Sequence, residues 1–472
     1  MGKERASVYL PVWAIAGVTP YVIALLFRLK ELALVKLQGT MKINQQGHLV
    51  IGGCDCVDLA REFGTPLYIM DEASIRSTCR EYQRSFVERY GKAEVIYASK
   101  TFSTLAMCQI IKEEGLGLDV VSGGELYTAL TANFPPQHIY FHGNNKTPDE
   151  LEFAIESKIG RIVVDNYREL KELNSLAAKH NRVVDVLVRV TPGVEAHTHE
   201  YIQTGQIDSK FGFTVSTGDA LKAVQMVIEA TNLEFQGIHC HIGSQIFELG
   251  SYRHTANVMM NLCQEIQQKT GVAVRELNLG GGFGIYYSEG DTPANIADYA
   301  ELVMTSVSDL AESLGIPRPK VIVEPGRSIS GPAGTTLYTI GSIKEIPEIR
   351  KYVAVDGGMA DNPRPALYQS RYEAILANRA NAAAEEVVAI TGKCCESGDM
   401  LIWDIDLPKV QTGDLLAVSG TGAYNYSMSS NYNRLTRPAV VLVNNGQADL
   451  IVKRETYQDL LRNDLLPERL AK

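Results

Sequence analysis

The chain has 472 residues, 45% hydrophobic and 21% charged, ordinary globular values that leave room for two domains or one large barrel with an addition. A net charge of -10 argues against a nucleic-acid backbone as partner. Eight cysteines are too sparse for a disulfide scaffold and show no zinc-finger spacing, so the thiols read as reduced, the compartment as cytoplasmic, and no metal is expected.

Residues 1–40 stand apart. No charged residue occurs from Ala6 to Phe27, while Lys3 and Arg5 precede this run and Arg28 and Lys30 follow it. Such a length could span a bilayer or act as a signal sequence. Pro11, Gly17 and Pro20 interrupt it, however, and no small-x-small cleavage site is convincing. The favoured expectation is an apolar extension ahead of a natural start at Met41, with membrane contact the lesser alternative.

From Met41 to Asp71 the sequence predicts short strands and turns, a helix at 56–63 and a strand at 67–70. Then a rhythm sets in of short apolar strand, polar turn and amphipathic helix. Strands are expected at 94–99, 118–121, 138–142, 161–165, 184–190, 235–242, 275–279 and 320–324. Helical stretches fill most gaps, among them 103–114, 166–180, 218–230, 252–269 and 294–314. Eight strand–helix units in about 250 residues are the arithmetic of a (β/α)8 barrel, placed at 72–325. A doubly wound open sheet competes, but it would want an early nucleotide fingerprint. Beyond Gly326 short strands dominate, so 326–472 is expected to form an all-β domain joined by 41–71.

Side chains just past the carboxyl ends of barrel strands build the active site in such folds. Lys100 follows the first predicted strand, and Asp119 and Ser122 close the second. The third supplies His142 and Asn144, the fifth Arg189, and the sixth His239, His241 and Ser244. Gly280, Gly281 and Gly282 follow the seventh, and Glu324, Pro325, Gly326 and Arg327 the eighth. A lone lysine at a strand end is usually solvated surface. A nearly full ring of polar residues points to a site.

Backbone without side chains lets several N–H groups converge on an anion, and phosphate sites in these barrels often lie after strands seven and eight. Lysine, phosphate loop and one carboxylate together suggest pyridoxal phosphate. Lys100 would hold its aldehyde, Gly280–Gly282 with Ser244 its phosphate, and Glu324 its ring nitrogen, while Asp119 joins the cofactor side and His241 could stack on the ring. In the β-domain, Arg364 and Tyr368 with Arg327 suit a carboxylate, because guanidinium forms a bidentate fork. Cys395, beside Glu396 and Asp399, is a plausible proton donor, with an unremarkable loop cysteine as the bland alternative.

These residues sit in motifs: YASK at 97–100, DVVSGGEL at 119–126, FHGNNK at 141–146, HCHIGSQ at 239–245, GGGFG at 280–284, EPGR at 324–327, DGGMADNPRPALY at 356–368, CESGD at 395–399 and GAYNYSMSSNYN at 422–433. In order and spacing they resemble the fold-type III pyridoxal-phosphate decarboxylases, and within them the diaminopimelate decarboxylase family. The likeness runs from about Met41 to Asp459. It implies an alanine-racemase-like barrel with a β-domain, working as a homodimer with active sites at the interface. It also implies that Lys100 binds the cofactor, that Gly282, Glu324–Arg327 and Tyr424 contact it, and that Cys395 comes from the partner chain. Substrate contacts would be Arg327, Arg364, Tyr368, Glu396 and Tyr424, and the reaction meso-2,6-diaminopimelate to L-lysine and CO2. An arginine, ornithine or carboxynorspermidine decarboxylase, a racemase and a non-catalytic regulatory homologue are the alternatives.

Overall fold

The computed structural model describes residues 36–194 and 208–471. The uncharged run from Ala6 to Phe27, on which the choice between extension and membrane arm turned, lies outside the described residues. Thr40 is already tied down: its N–H and hydroxyl both donate to Asp71 Oδ2 at 2.8 Å, and its Oγ1 accepts the Gly52 N–H at 2.7 Å.

Eight parallel strands form a closed barrel: β1 (Ala93–Ala98), β2 (Gly117–Val120), β3 (Ile139–Phe141), β4 (Arg161–Val164), β5 (Val184–Thr191), β6 (Leu233–His239), β7 (Glu276–Asn278) and β8 (Lys320–Val323). Closure comes from β8 pairing with β1, Val321 opposite Ala93 and Val323 opposite Val95. Both faces of such strands are covered, which is why they read as near-continuous apolar runs. Ile96, Tyr140, Val163, Leu187 and Ile322 fill the barrel interior. Below them Glu276 takes Arg161 at 2.9 Å and Lys320 at 2.8 Å, so the amino-terminal mouth is plugged by ion pairs. The carboxyl-terminal mouth is left for chemistry.

Seven helices follow strands β1 to β7 in turn, from Leu105–Glu113 to Ile296–Leu314. The eighth unit departs from expectation. After β8 there is only the turn Arg327–Ser330, and the covering position is taken by a helix ahead of β1, Glu72–Tyr82 with its continuation Gln83–Glu88. Tyr82 joins the two, its hydroxyl 2.7 Å from Ser328 Oγ and its ring 5.7 Å from Phe283.

The second unit is built on one long strand, Gly334–Ile346. Antiparallel partners flank it, Leu67–Asp71 on one side and Leu415–Ser419 on the other, and its far half pairs with Arg350–Val355. Leu67–Asp71 also pairs in parallel with Ala439–Asn444, so the segment before the barrel belongs to the β sheet. A loop from this unit crosses to the barrel beside Lys100. The Tyr424 N–H and the Ser427 hydroxyl both donate to Thr101 O at 2.9 Å. Among the described residues no helix is long and apolar enough to cross a membrane.

Candidate active site

Lys100 rides on a single 3₁₀ turn, Ser99–Thr101, directly after β1. Its neighbours hold that turn rigid: Ser99 Oγ donates to Glu125 Oε2 at 3.0 Å and Thr101 Oγ1 to Ala98 O at 3.0 Å. The amine opens into a cleft of about 440 Å³, within the usual size of a small-molecule site. Asp119, His241, Ser244, Glu324 and Arg327 line it from the barrel, and Arg364, Tyr368 and Tyr424 from the β unit. Surrounding protein disfavours the Lys100 charge, but Tyr424, Asp119 and Glu324 outweigh that and raise its pKa.

Glu324 is the most heavily braced group. Asn278 Nδ2 donates to its Oε1 at 2.7 Å, His142 Nε2 lies 2.9 Å from the same oxygen, and His239 Nε2 lies 3.3 Å from Oε2. Burial opposes its charge, yet His142 and His239 outweigh burial and hold the carboxyl well below its ordinary range. His239 itself is pushed down to about 3 by burial, against the pull of Glu324. The arrangement delivers a fixed negative charge at the cleft floor. Asp119 behaves differently: burial raises it, and its buried Oδ1 has no hydrogen-bond partner among the described residues.

The glycine run is a cradle in which side chains do not fit. A Cβ on Gly281 would lie 2.2 Å from Glu324 O, and one on Gly282, at φ +96°, would lie 2.4 Å from Gly243 O. Here the sequence expectation needs correction. The Gly280 N–H is spent on Asn278 Oδ1 at 2.9 Å and that of Gly281 on His241 Nδ1 at 3.2 Å. Gly282, with Ser244, Gly326 and Arg327, lines a narrow recess next to Lys100. Pro325 spends its carbonyl on the Ala98 N–H at 3.1 Å, stitching β8 to β1. Ser122 is a helix cap, accepting the Glu125 N–H at 3.2 Å, not a cleft residue.

Two arginines face one tyrosine. The Tyr424 ring centre is 4.8 Å from Arg327 Cζ and 5.5 Å from Arg364 Cζ. Tyr424 is held at φ +66°, a strained value for a bulky residue that its bond to Thr101 sustains. Tyr287 OH takes Arg327 Nη1 at 2.6 Å, and Tyr372 OH takes Arg364 Nε at 3.0 Å. Tyr287, Tyr372 and Asn278 escaped sequence reasoning. Asn278, a polar residue inside the apolar run at β7, carried a legible signal, whereas the tyrosines did not. Cys395 and Glu396 are exposed on a loop and do not line the cleft of their own chain.

Pyridoxal phosphate fits this donor set: an amine on a rigid turn, a recess built for backbone, a held carboxylate, and an unpartnered buried carboxylate oxygen at Asp119. Residues 72–331 match the family described as pyridoxal-dependent decarboxylase, pyridoxal binding domain. The chain belongs to the pyridoxal-dependent decarboxylases, and its cofactor is pyridoxal phosphate. The diaminopimelate decarboxylase of Bacillus subtilis (strain 168) is 54% identical over 429 residues, 91% of this chain and 98% of that one. That of Synechocystis is 48% identical, covering 91% and 93%. A solved diaminopimelate decarboxylase from m. jannaschii, in complex with L-lysine, superposes at TM-score 0.86 with 37% identity, covering 92% and 100%. Within the decarboxylases, then, this is a member of the diaminopimelate decarboxylase family of carboxy-lyases. A lysine/ornithine decarboxylase from Vibrio vulnificus, 21% identical at TM-score 0.71, shares the fold.

Proposed function

We propose that the protein decarboxylates meso-2,6-diaminopimelate to L-lysine and CO2, the last step of lysine biosynthesis, as a cytoplasmic homodimer. One observation carries this reading: Lys100, Glu324 and the pair Arg327 and Arg364 meet in a single cleft. Bound pyridoxal phosphate supplies an aldehyde for the substrate amine and a ring that takes up the electrons left behind by CO2.

The chain's own residues do the rest. Lys100 would hold the cofactor's aldehyde end, and its amine, fixed on the rigid turn Ser99–Thr101, would carry a proton beside the substrate Cα. Ser244, Gly282 and Arg327 line the recess beside Lys100 and would hold the phosphate there, Arg327 being braced on Ser244 Oγ at 2.9 Å. Glu324, kept ionised by His142 and His239, favours a protonated ring nitrogen. His241, which lines the same cleft, would stack on the cofactor ring, and Asp119 would add a second acceptor.

Specificity follows from the charges that must be paired. Diaminopimelate carries two carboxylates, and Arg364, 5.3 Å from the Tyr368 ring and 5.5 Å from the Tyr424 ring in the same cleft, would take the distal one while Arg327 serves the cofactor end. Ornithine lacks that second carboxylate and would leave a buried guanidinium unpaired, a costly outcome. Cys395 delivers the proton to Cα, and Glu396 faces the distal amine, both from a partner subunit. Their exposed position outside their own cleft supports that arrangement.

The test is CO2 release by purified protein with added pyridoxal phosphate on meso-diaminopimelate, L-ornithine and L-arginine. Turnover of diaminopimelate alone is the expected result. Turnover of ornithine or arginine instead would overturn the distal-carboxylate argument while leaving fold and cofactor in place.

A further inference from the structure

We propose that Asn433 is a positioning residue for the Cys395 thiol, an inference that rests on the reading of Cys395 as a proton donor for a neighbouring cleft. Cys395 is exposed on the loop between the strands Glu386–Thr391 and Met400–Leu407. The base of that loop is fixed by the buried Asp399 carboxylate, which accepts the Cys394 and Met359 N–H groups at 2.7 and 2.6 Å. Further out, Asn433 Oδ1 accepts the N–H of Cys395 itself at 2.7 Å, across 38 residues of sequence. Pinning that N–H sets the orientation of the Cys395 backbone, and so the direction in which Cα–Cβ carries the sulfur away from the surface.

The conformation of Asn433 is an independent argument. It lies at φ +52° and Arg434 at +58°, two successive side chains in the left-handed region. Asparagine tolerates that region, but arginine does so rarely. Such strain persists where the surroundings over-determine it, and it clusters at functional sites. The surroundings here are visible. Arg434 donates to Leu460 O at 2.9 Å and pairs with Asp464 at 2.7 Å, while Asn431 donates to Leu435 O at 3.0 Å and to Glu455 Oε2 at 2.6 Å. The carboxyl-terminal segment thereby clamps the 431–435 turn with Asn433 facing the cysteine loop. Proton transfer demands close placement of donor and acceptor atoms, and a displacement of about 1 Å can cost about 10²-fold in rate.

Two variants separate the acceptor from the backbone. Asn433→Gly keeps access to the left-handed conformation and deletes the acceptor, whereas Asn433→Asp keeps both. Full-length, cofactor-loaded protein is assayed on meso-diaminopimelate, with each variant made in wild-type and Cys395→Ala backgrounds and each melted. Asn433→Gly is expected to lower kcat about tenfold with KM unchanged and only a slightly lower Tm, the loss of one exposed hydrogen bond. Asn433→Asp should restore most of that rate, and Asn433→Gly should add no further loss once Cys395 is alanine. A wild-type kcat in Asn433→Gly, or an equal further loss in the Cys395→Ala background, overturns the proposal. A wild-type rate in Cys395→Ala removes its premise, and that failure is recognisable because it belongs to the mechanism and not to Asn433.

Discussion

At the scale of single residues, charge and burial assign the roles. Among the described residues Lys100 is the one amine that lines the cleft and its glycine-lined recess, so Lys100→Ala should abolish the absorbance of covalently held cofactor near the visible edge. A spectrum unchanged in that variant would sink the assignment. Asp361 shows the same physics outside the chemistry. Its carboxylate is 4% exposed and accepts the Tyr338 hydroxyl and, at 2.9 Å, the Gly358 N–H. Burial raises its pKa from 3.8 to about 7, with the Tyr338 and Gly358 bonds pulling less strongly the other way. A raised folded pKa means that the folded state holds the proton more tightly. The contribution to stability is therefore complete below 3.8 and is lost as pH rises through about 7. Asp361→Asn keeps one acceptor oxygen for the Gly358 N–H, turns an amide N–H toward the Tyr338 hydroxyl oxygen and removes the titration. In thermal melts the slope of Tm against pH should then lose the downward contribution of Asp361 across this window. An unaltered slope would refute the assignment.

At the scale of elements, the turns after the strands do the positioning, and they are built from backbone. Gly281 packs directly on the β8 end, where an added methyl would meet Glu324 O at 2.2 Å. Gly281→Ala must push β7 and β8 apart at the point where Glu324 is held. Overpacking of this kind costs about 1–3 kcal/mol. The expected outcome is a lower Tm together with weaker binding of pyridoxal phosphate in equilibrium titration. Wild-type values for both would show that the loop yields freely. The helix Glu72–Tyr82 illustrates the same scale from the outside, since it covers the place that the short turn Arg327–Ser330 cannot.

At the scale of the whole molecule, the cleft of one chain gathers Lys100, Asp119, His241, Ser244, Glu324 and Arg327 from the barrel, while Cys395 and Glu396 are exposed outside it. If a two-fold partner supplies them, two defective chains can repair each other. Lys100→Ala and Cys395→Ala are each expected to be slow or inactive alone. Random mixing and reassociation should recover about a quarter of wild-type activity, because about half the dimers are mixed and each carries one intact site. Additive, unrepaired activity after mixing would place lysine and thiol in the same chain.

The sequence alone determined the rhythm of eight apolar strands and the chemistry at their ends. Period and polarity are local properties, and a barrel places each strand end at one mouth, so position in the chain became position in the site. That logic singled out Lys100, Asp119, His241, Glu324 and Arg327, which line one cleft. Only the tertiary structure decided which donors remain available. Gly280 and Gly281 look equivalent to Gly282 in the sequence, yet their N–H groups are consumed by Asn278 and His241. It also decided the bracing of Glu324 by His142, His239 and Asn278, and the tyrosines that steady the two arginines. Those contacts join segments far apart in the chain, and their strength depends on burial and distance, which a list of residues does not contain.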